Sequence, residues 1–119
     1  MIKLNGKLRV TGDSGKQYFF HLYFFHPAHK PRIEEGQGVY IFIKKKNSGK
    51  YEPIYCGQTH NLERRINNLN RGNCIFSKKP NRVCVLEEHS KEEREAIRTD
   101  ILDNDKYDFL YNEMIAEAL

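Results

Sequence analysis

Residues 38–45, Gly-Val-Tyr-Ile-Phe-Ile-Lys-Lys, and residues 53–57, Pro-Ile-Tyr-Cys-Gly, are two short runs separated by a turn-rich stretch around Asn47, Ser48 and Gly49. β-branched and aromatic side chains favour a pleated strand, while Asn, Ser and Gly favour chain reversal, so the pair predicts an antiparallel hairpin. Immediately after Gly57 the pattern changes. Thr59 or Asn61 can cap a helix on which Leu62, Ile66 and Leu69 recur at helical spacing. A hairpin that runs straight into an amphipathic helix must bury the helix's apolar stripe against the sheet.

The flanking segments extend this pattern. Residues 2–10 alternate loosely and end at the turn-rich 11–16, and 16–25 (KQYFFHLYFF) are dense in aromatics. The second run is expected to be a strand covered on both faces, paired with the first around Gly-Asp-Ser-Gly. Residues 26–37 hold two prolines and mixed charge, which predicts a connecting loop. Downstream, 71–74 end the first helix and 81–88 predict another strand. Ser90 followed by Glu93 has capping-box spacing and predicts a helix to about Leu102. Residues 107–112 are expected to be extended or irregular, and 113–119 a short helix. The order β-β-β-β-α-β-α-α implies an α+β fold, a small antiparallel sheet flanked by helices. Residues 38–119 form its body and 1–37 an extra N-terminal β-hairpin of the same domain.

Charge is unevenly distributed along the 119 residues. Residues 1–37 carry six Lys/Arg against three Asp/Glu, 38–82 carry ten against two, and 83–119 carry four against eleven. A basic middle of this strength suits the phosphate backbone of nucleic acid, although a solvated surface with one basic and one acidic side has the same composition. No apolar run approaches the roughly 18–20 residues of a membrane span, and the first ten residues lack the apolar stretch of a secretory signal. The three cysteines, Cys56, Cys74 and Cys84, include no close-set pair. That usage suits a reducing, cytoplasmic setting better than a disulfide framework or zinc knuckle.

The stretch Gly38 to Arg65 resembles the GIY-YIG nuclease superfamily. Gly38-Val39-Tyr40 stands for the first signature and Tyr55-Cys56-Gly57 for the second, with Arg65 eight residues after Gly57 in the following helix. The resemblance extends over about residues 38–112 and implies hydrolysis of DNA phosphodiesters. By that resemblance Tyr40 would be the general base and Tyr55 would orient water or phosphate. Arg65 would clamp the phosphate, a task its planar, always-charged guanidinium suits. Asn112 matches the family's late asparagine and can equally cap the last predicted helix. Gly57, Gln58 and Arg64 are further candidate substrate contacts, Gly57 for close backbone approach at the corner and Arg64 as a charge elsewhere on the helix. His60 is a candidate for assisting a base, while the other four histidines show no ligand spacing.

The resemblance also implies Mg²⁺ or Mn²⁺ held by a helix glutamate. Apolar residues three and four positions behind it, and the asparagine beyond, locate that position at Arg98, which cannot bind such an ion. Glu95, in Glu93-Arg94-Glu95, is the preferred substitute, and Glu93, followed by Ala96 and Ile97, is the alternative. Two functions therefore stand side by side. One is a divalent-metal-dependent endonuclease. The other is a GIY-YIG domain with Arg98 at the metal position, binding DNA or protein without cutting. An interaction protein using the aromatic strand is a third possibility. Sequence specificity is expected from the N-terminal extension, a homo-oligomer or a partner protein.

Overall fold

The computed structural model describes residues 3–29, 31–68, 75 and 78–107. Five strands form one antiparallel sheet: β1 (Lys3–Thr11), β2 (Gln17–Phe24), β3 (Gly38–Lys45), β4 (Tyr51–Thr59) and β5 (Arg82–Glu87). Their spatial order is β1-β2-β5-β3-β4, so β5 inserts between the two hairpins. The N-terminal hairpin therefore continues the sheet by pairing β2 with β5 through His21↔Val85 and Leu22↔Cys84. Helix α1 (Leu62–Asn67) follows β4, and helix α2 (Lys91–Leu102) follows β5. The α+β architecture is the one predicted. Residues 108–119, including Asn112 and the predicted last helix, lie outside the described residues, as do Leu69 and Cys74.

Both faces of the sheet are covered, which explains the unbroken apolar run of β3. Alternate residues point to opposite faces. Tyr40 and Phe42 join Tyr23, Phe25, Tyr55, Val83 and Val85 under Leu62 and Ile66 of α1. Val39, Ile41 and Ile43 join Phe20, Leu22, Cys56 and Cys84 under Ile97 and Ile101 of α2. The first face carries a row of rings. Phe25 and Phe42 meet edge-on at 5.0 Å, Phe42 and Tyr40 edge-on at 5.9 Å, and Tyr40 and Tyr55 tilted at 5.9 Å. Such pairs contribute roughly 0.5–1.5 kcal/mol each beyond burial, and they fix the ring of Tyr40.

The aromatic strand β2 corrects one expectation. Phe19 and Phe24 are 47% and 41% exposed, so only the middle of the strand is covered on both faces. Phe24 lies at the end of the β2–β5 pairing, and Arg82 opposite it stacks over its ring at 4.3 Å. A cation thus shields part of this exposed apolar surface.

Helix starts follow the sequence closely, whereas α1 ends at Asn67 with Asn68 as its C-cap, short of the expected 71–74. Asn61 caps α1 by accepting from Arg64 N at 3.0 Å, and Thr59 Oγ1 accepts from Asn61 N at 3.1 Å. Ser90 Oγ accepts from Glu93 N, but Ser90 N donates to the Glu88 carboxylate rather than to that of Glu93. The far end of α2 is fastened to the N-terminal hairpin. Asp100 accepts from Ser14 N, the Ser14 hydroxyl and the Tyr18 hydroxyl at 2.7–2.8 Å. No helix among the described residues is long and apolar enough to cross a membrane. Phe42→Ala should cost about 3–5 kcal/mol, because it empties the middle of the ring row. Phe19→Ala should stay within about 0.5 kcal/mol. Urea unfolding of the two variants measures the difference.

Candidate active site

The site forms where β3 and β4 run side by side. Tyr40 on β3 pairs with Gly57 on β4, and Phe42 with Tyr55. A Cβ at residue 57 would sit 2.5 Å from the Tyr40 hydroxyl and 2.7 Å from the ring carbon that bears it. Gly57 is therefore required because the phenol lies across its backbone, a reason other than backbone dihedral freedom. Gly38 answers a similar demand, since a Cβ there would run into the Leu86 carbonyl oxygen.

Arg65, one turn into α1, donates from Nε to the Tyr40 hydroxyl at 3.1 Å. The Tyr55 ring lies 5.9 Å from that of Tyr40, and its hydroxyl is close enough to influence both members of this pair. The three residues picked from the signatures and the helix thus form one cluster. Tyr40 and Tyr55 are fully buried, whereas Arg65 is half-buried and reaches solvent. Burial pushes the Tyr40 phenol above its ordinary value of 10.0, and the Arg65 charge offsets this only in part. The same contact, led by the charge interaction with Tyr40, raises Arg65 further, so it stays protonated.

Beside the cluster opens a polar cleft of about 440 Å³, lined by Gln58, Thr59, His60, Arg65, Lys91 and Arg94. It wraps around β4, taking Arg65 from α1 and Lys91 and Arg94 from α2. Arg94 was not a candidate on sequence grounds, and it is the most constrained residue here. Only 4% exposed, it donates from Nε to Gln58 Oε1 at 2.9 Å and from Nη1 to Gln37 Oε1 at 3.0 Å. Nη1 also reaches the carbonyl oxygens of Glu88 and His89, at 3.2 and 2.9 Å. Gln58 thereby acts as a support for Arg94. Arg64 is exposed on α1, and its backbone N–H is held by the Asn61 cap.

The helix residues expected to hold a metal are placed differently. Glu93 and Glu95 are exposed, and neither lines the cleft. Glu93 instead lies close enough to Tyr18 for its charge to help raise that phenol. Arg98 is half-buried one turn beyond Arg94 and is also outside the lining. Among the described residues no three of His, Cys, Asp and Glu converge to hold a metal. Mg²⁺ and Mn²⁺ want oxygen donors, and the cleft offers cationic nitrogens instead. The residues described do not fit a divalent ion.

A comparison with protein families matches residues 36–99 to the GIY-YIG catalytic domain. The chain belongs to this family. The match covers more than half of the chain and holds both signature tripeptides, α1 and most of α2. No curated protein and no solved structure matches significantly. GIY-YIG nucleases generally depend on a divalent metal, whereas the described lining of this cleft is cationic.

Two measurements test this geometry. Gly57→Ala should displace the Tyr40 phenol and cost roughly 1–3 kcal/mol in urea unfolding, as overpacking does. Stability should also fall in alkali. Burial, aided by Asp100, pushes Tyr18 to about 12, and burial raises Tyr40 above 10.0. Both phenols keep their protons in the folded state after the unfolded chain has lost them. Their stabilising effect is complete below pH 10 and declines above it, up to about 12 for Tyr18. Thermal melts from pH 8 to 12 should show the decline, and Tyr40→Phe should reduce it.

Proposed function

We propose that this GIY-YIG domain is an endonuclease that hydrolyses DNA phosphodiesters at the Arg65 cleft. The observation that carries this reading is Arg65 itself. Its Nε is fixed on Tyr40 at 3.1 Å while the residue lines the open cleft. A guanidinium held on one edge is already oriented to meet a phosphate with the other, and little entropy remains to be lost on binding. Positive charge placed there before the reaction also stabilises the pentacoordinate phosphorus that forms as water attacks.

Tyr40 has two tasks in this proposal. As a phenol it accepts from Arg65 and sets the clamp. As a phenolate it would take the proton of the attacking water, a form that burial disfavours at neutral pH. Tyr55 orients the pair, and Asn112 supports the phosphate from outside the described residues. Mg²⁺ or Mn²⁺ with Glu95 or Glu93 as donor is the expectation from the resemblance. Neither glutamate lines the cleft, so no step is assigned to a metal. Lys91 and Arg94 on the α2 wall favour a second reading, a domain that binds DNA through this cleft without cutting it.

Plasmid nicking in Mg²⁺, in Mn²⁺ and in EDTA tests the proposal. Wild-type protein should nick, and Arg65→Ala should lower the rate by about 10²–10³-fold, the loss typical of a transition-state charge donor. With Tyr40 acting as phenolate, the rate should rise about tenfold per pH unit from 7 to 9. DNA retention with no nicking under any condition would leave the binding reading in place of the enzyme.

A further inference from the structure

The guanidinium of Arg94 raises a question that the nuclease reading leaves open. Burying a charge costs heavily unless it is paired, and buried arginines are normally compensated by a carboxylate. Arg94 has none. Its four acceptors, Gln58 Oε1, Gln37 Oε1 and the carbonyls of Glu88 and His89, are all neutral. These bonds occupy Nε and Nη1, and among the described residues Nη2 donates to no protein acceptor. The residue nonetheless lines the cleft, together with Lys91 and Arg65 and, among the described residues, no acidic side chain. Three formal positive charges thus face one space of about 440 Å³, well within the roughly 300–1,000 Å³ usual for ligand sites.

We propose that the α2 wall of this cleft is a phosphate seat of its own, in which Arg94 and Lys91 hold a DNA backbone phosphate without a divalent ion. Each part has a physical reason. The neutral acceptors hold the guanidinium in place without cancelling its charge. The free edge at Nη2 is the kind of donor that matches a phosphate oxygen. Lys91, exposed at the start of α2, adds a mobile charge at the mouth. A divalent cation entering this space would be repelled by all three residues, whereas an anion would relieve their mutual repulsion. Arg65 arrives from α1, on the opposite face of the sheet from α2, so the two seats are held by different elements. The assignment of DNA rests on the nuclease reading of the Arg65 cluster, while the anion chemistry of the α2 wall does not.

Side-chain NMR of the ¹⁵N-labelled chain, titrated with inorganic phosphate in EDTA, tests the seat directly. The Arg94 Nε–H signal should shift saturably, and Lys91→Ala should weaken the fitted affinity at least threefold. Arg94→Lys, which keeps the charge but loses the fork, should weaken it as well, with near-ultraviolet circular dichroism verifying its fold. A fluorescein-labelled DNA duplex should bind with a dissociation constant in EDTA within about twofold of that in Mg²⁺. Lys91→Ala should reduce the salt slope of that binding by about 0.9, the value for one phosphate contact. A silent Arg94 signal, unchanged phosphate affinity in Lys91→Ala, or DNA binding that requires Mg²⁺ would each overturn the seat. The two readings fail separately. Arg65-dependent nicking with a silent Arg94 would leave the nuclease without the seat. A saturable Arg94 shift in protein that never nicks would leave the seat without the nuclease.

Discussion

The cleft depends on the missing side chain at Gly57. Tyr40 must cross the β4 backbone at that point for its hydroxyl to reach Arg65, and a Cβ there would collide with the phenol. The strand pairing sets the crossing, because Tyr40 stands opposite Gly57 while Tyr55 stands opposite Phe42. The ring row from Phe25 through Phe42 holds Tyr40 from behind. One backbone approach therefore decides where α1 presents its arginine. Tyrosine and glycine occur together in this motif because the second makes room for the first.

Much of this was legible in the sequence, and the parts that were not have specific causes. Strands and helix starts followed from alternation, turn residues and the Asn61 and Ser90 caps, all of which act within a few residues. Tyr40, Tyr55 and Arg65 were found because their spacing is local to one hairpin and one helix. The coverage of β2 was less legible. Aromatic density does not reveal which strand positions end up covered: Phe24 shares the α2 face with Phe20 and Leu22, and Phe19 the α1 face with Tyr23, yet both rings are exposed. At Phe24 a stacked Arg82 does the covering, through a strand pairing invisible before the sheet order is known.

Arg94 was missed for a different reason. Counting from apolar neighbours and from Asn112 directs attention to Arg98, whereas the phase of α2 is set by what it buries. Ile97 and Ile101 face the sheet, and Arg94 stands three and seven residues before them. It occupies the first place of an apolar stripe, where a leucine or isoleucine would be ordinary. A charged residue at a stripe position was the available signal, since long charged side chains are rarely buried without a polar purpose. Gln58 gave no such warning, because its function exists only once β4 and α2 are side by side.

Helix α2 also shows why charge counted along a chain misplaces charge in space. It lies in the acidic last third, and Glu92, Glu93 and Glu95 make it look repulsive to nucleic acid. Those three glutamates are exposed and line no part of the cleft, while Lys91 and Arg94, interleaved with them, do. The helix therefore adds to the basic cleft begun by α1, and its acidic residues are carried elsewhere on its surface. Within a Debye length of about 8 Å at physiological salt, the nearer charges dominate what an approaching phosphate experiences. On the proposed reading, a DNA strand entering beside Arg65 would meet Lys91 and Arg94 and not the glutamates, which line no part of the cleft.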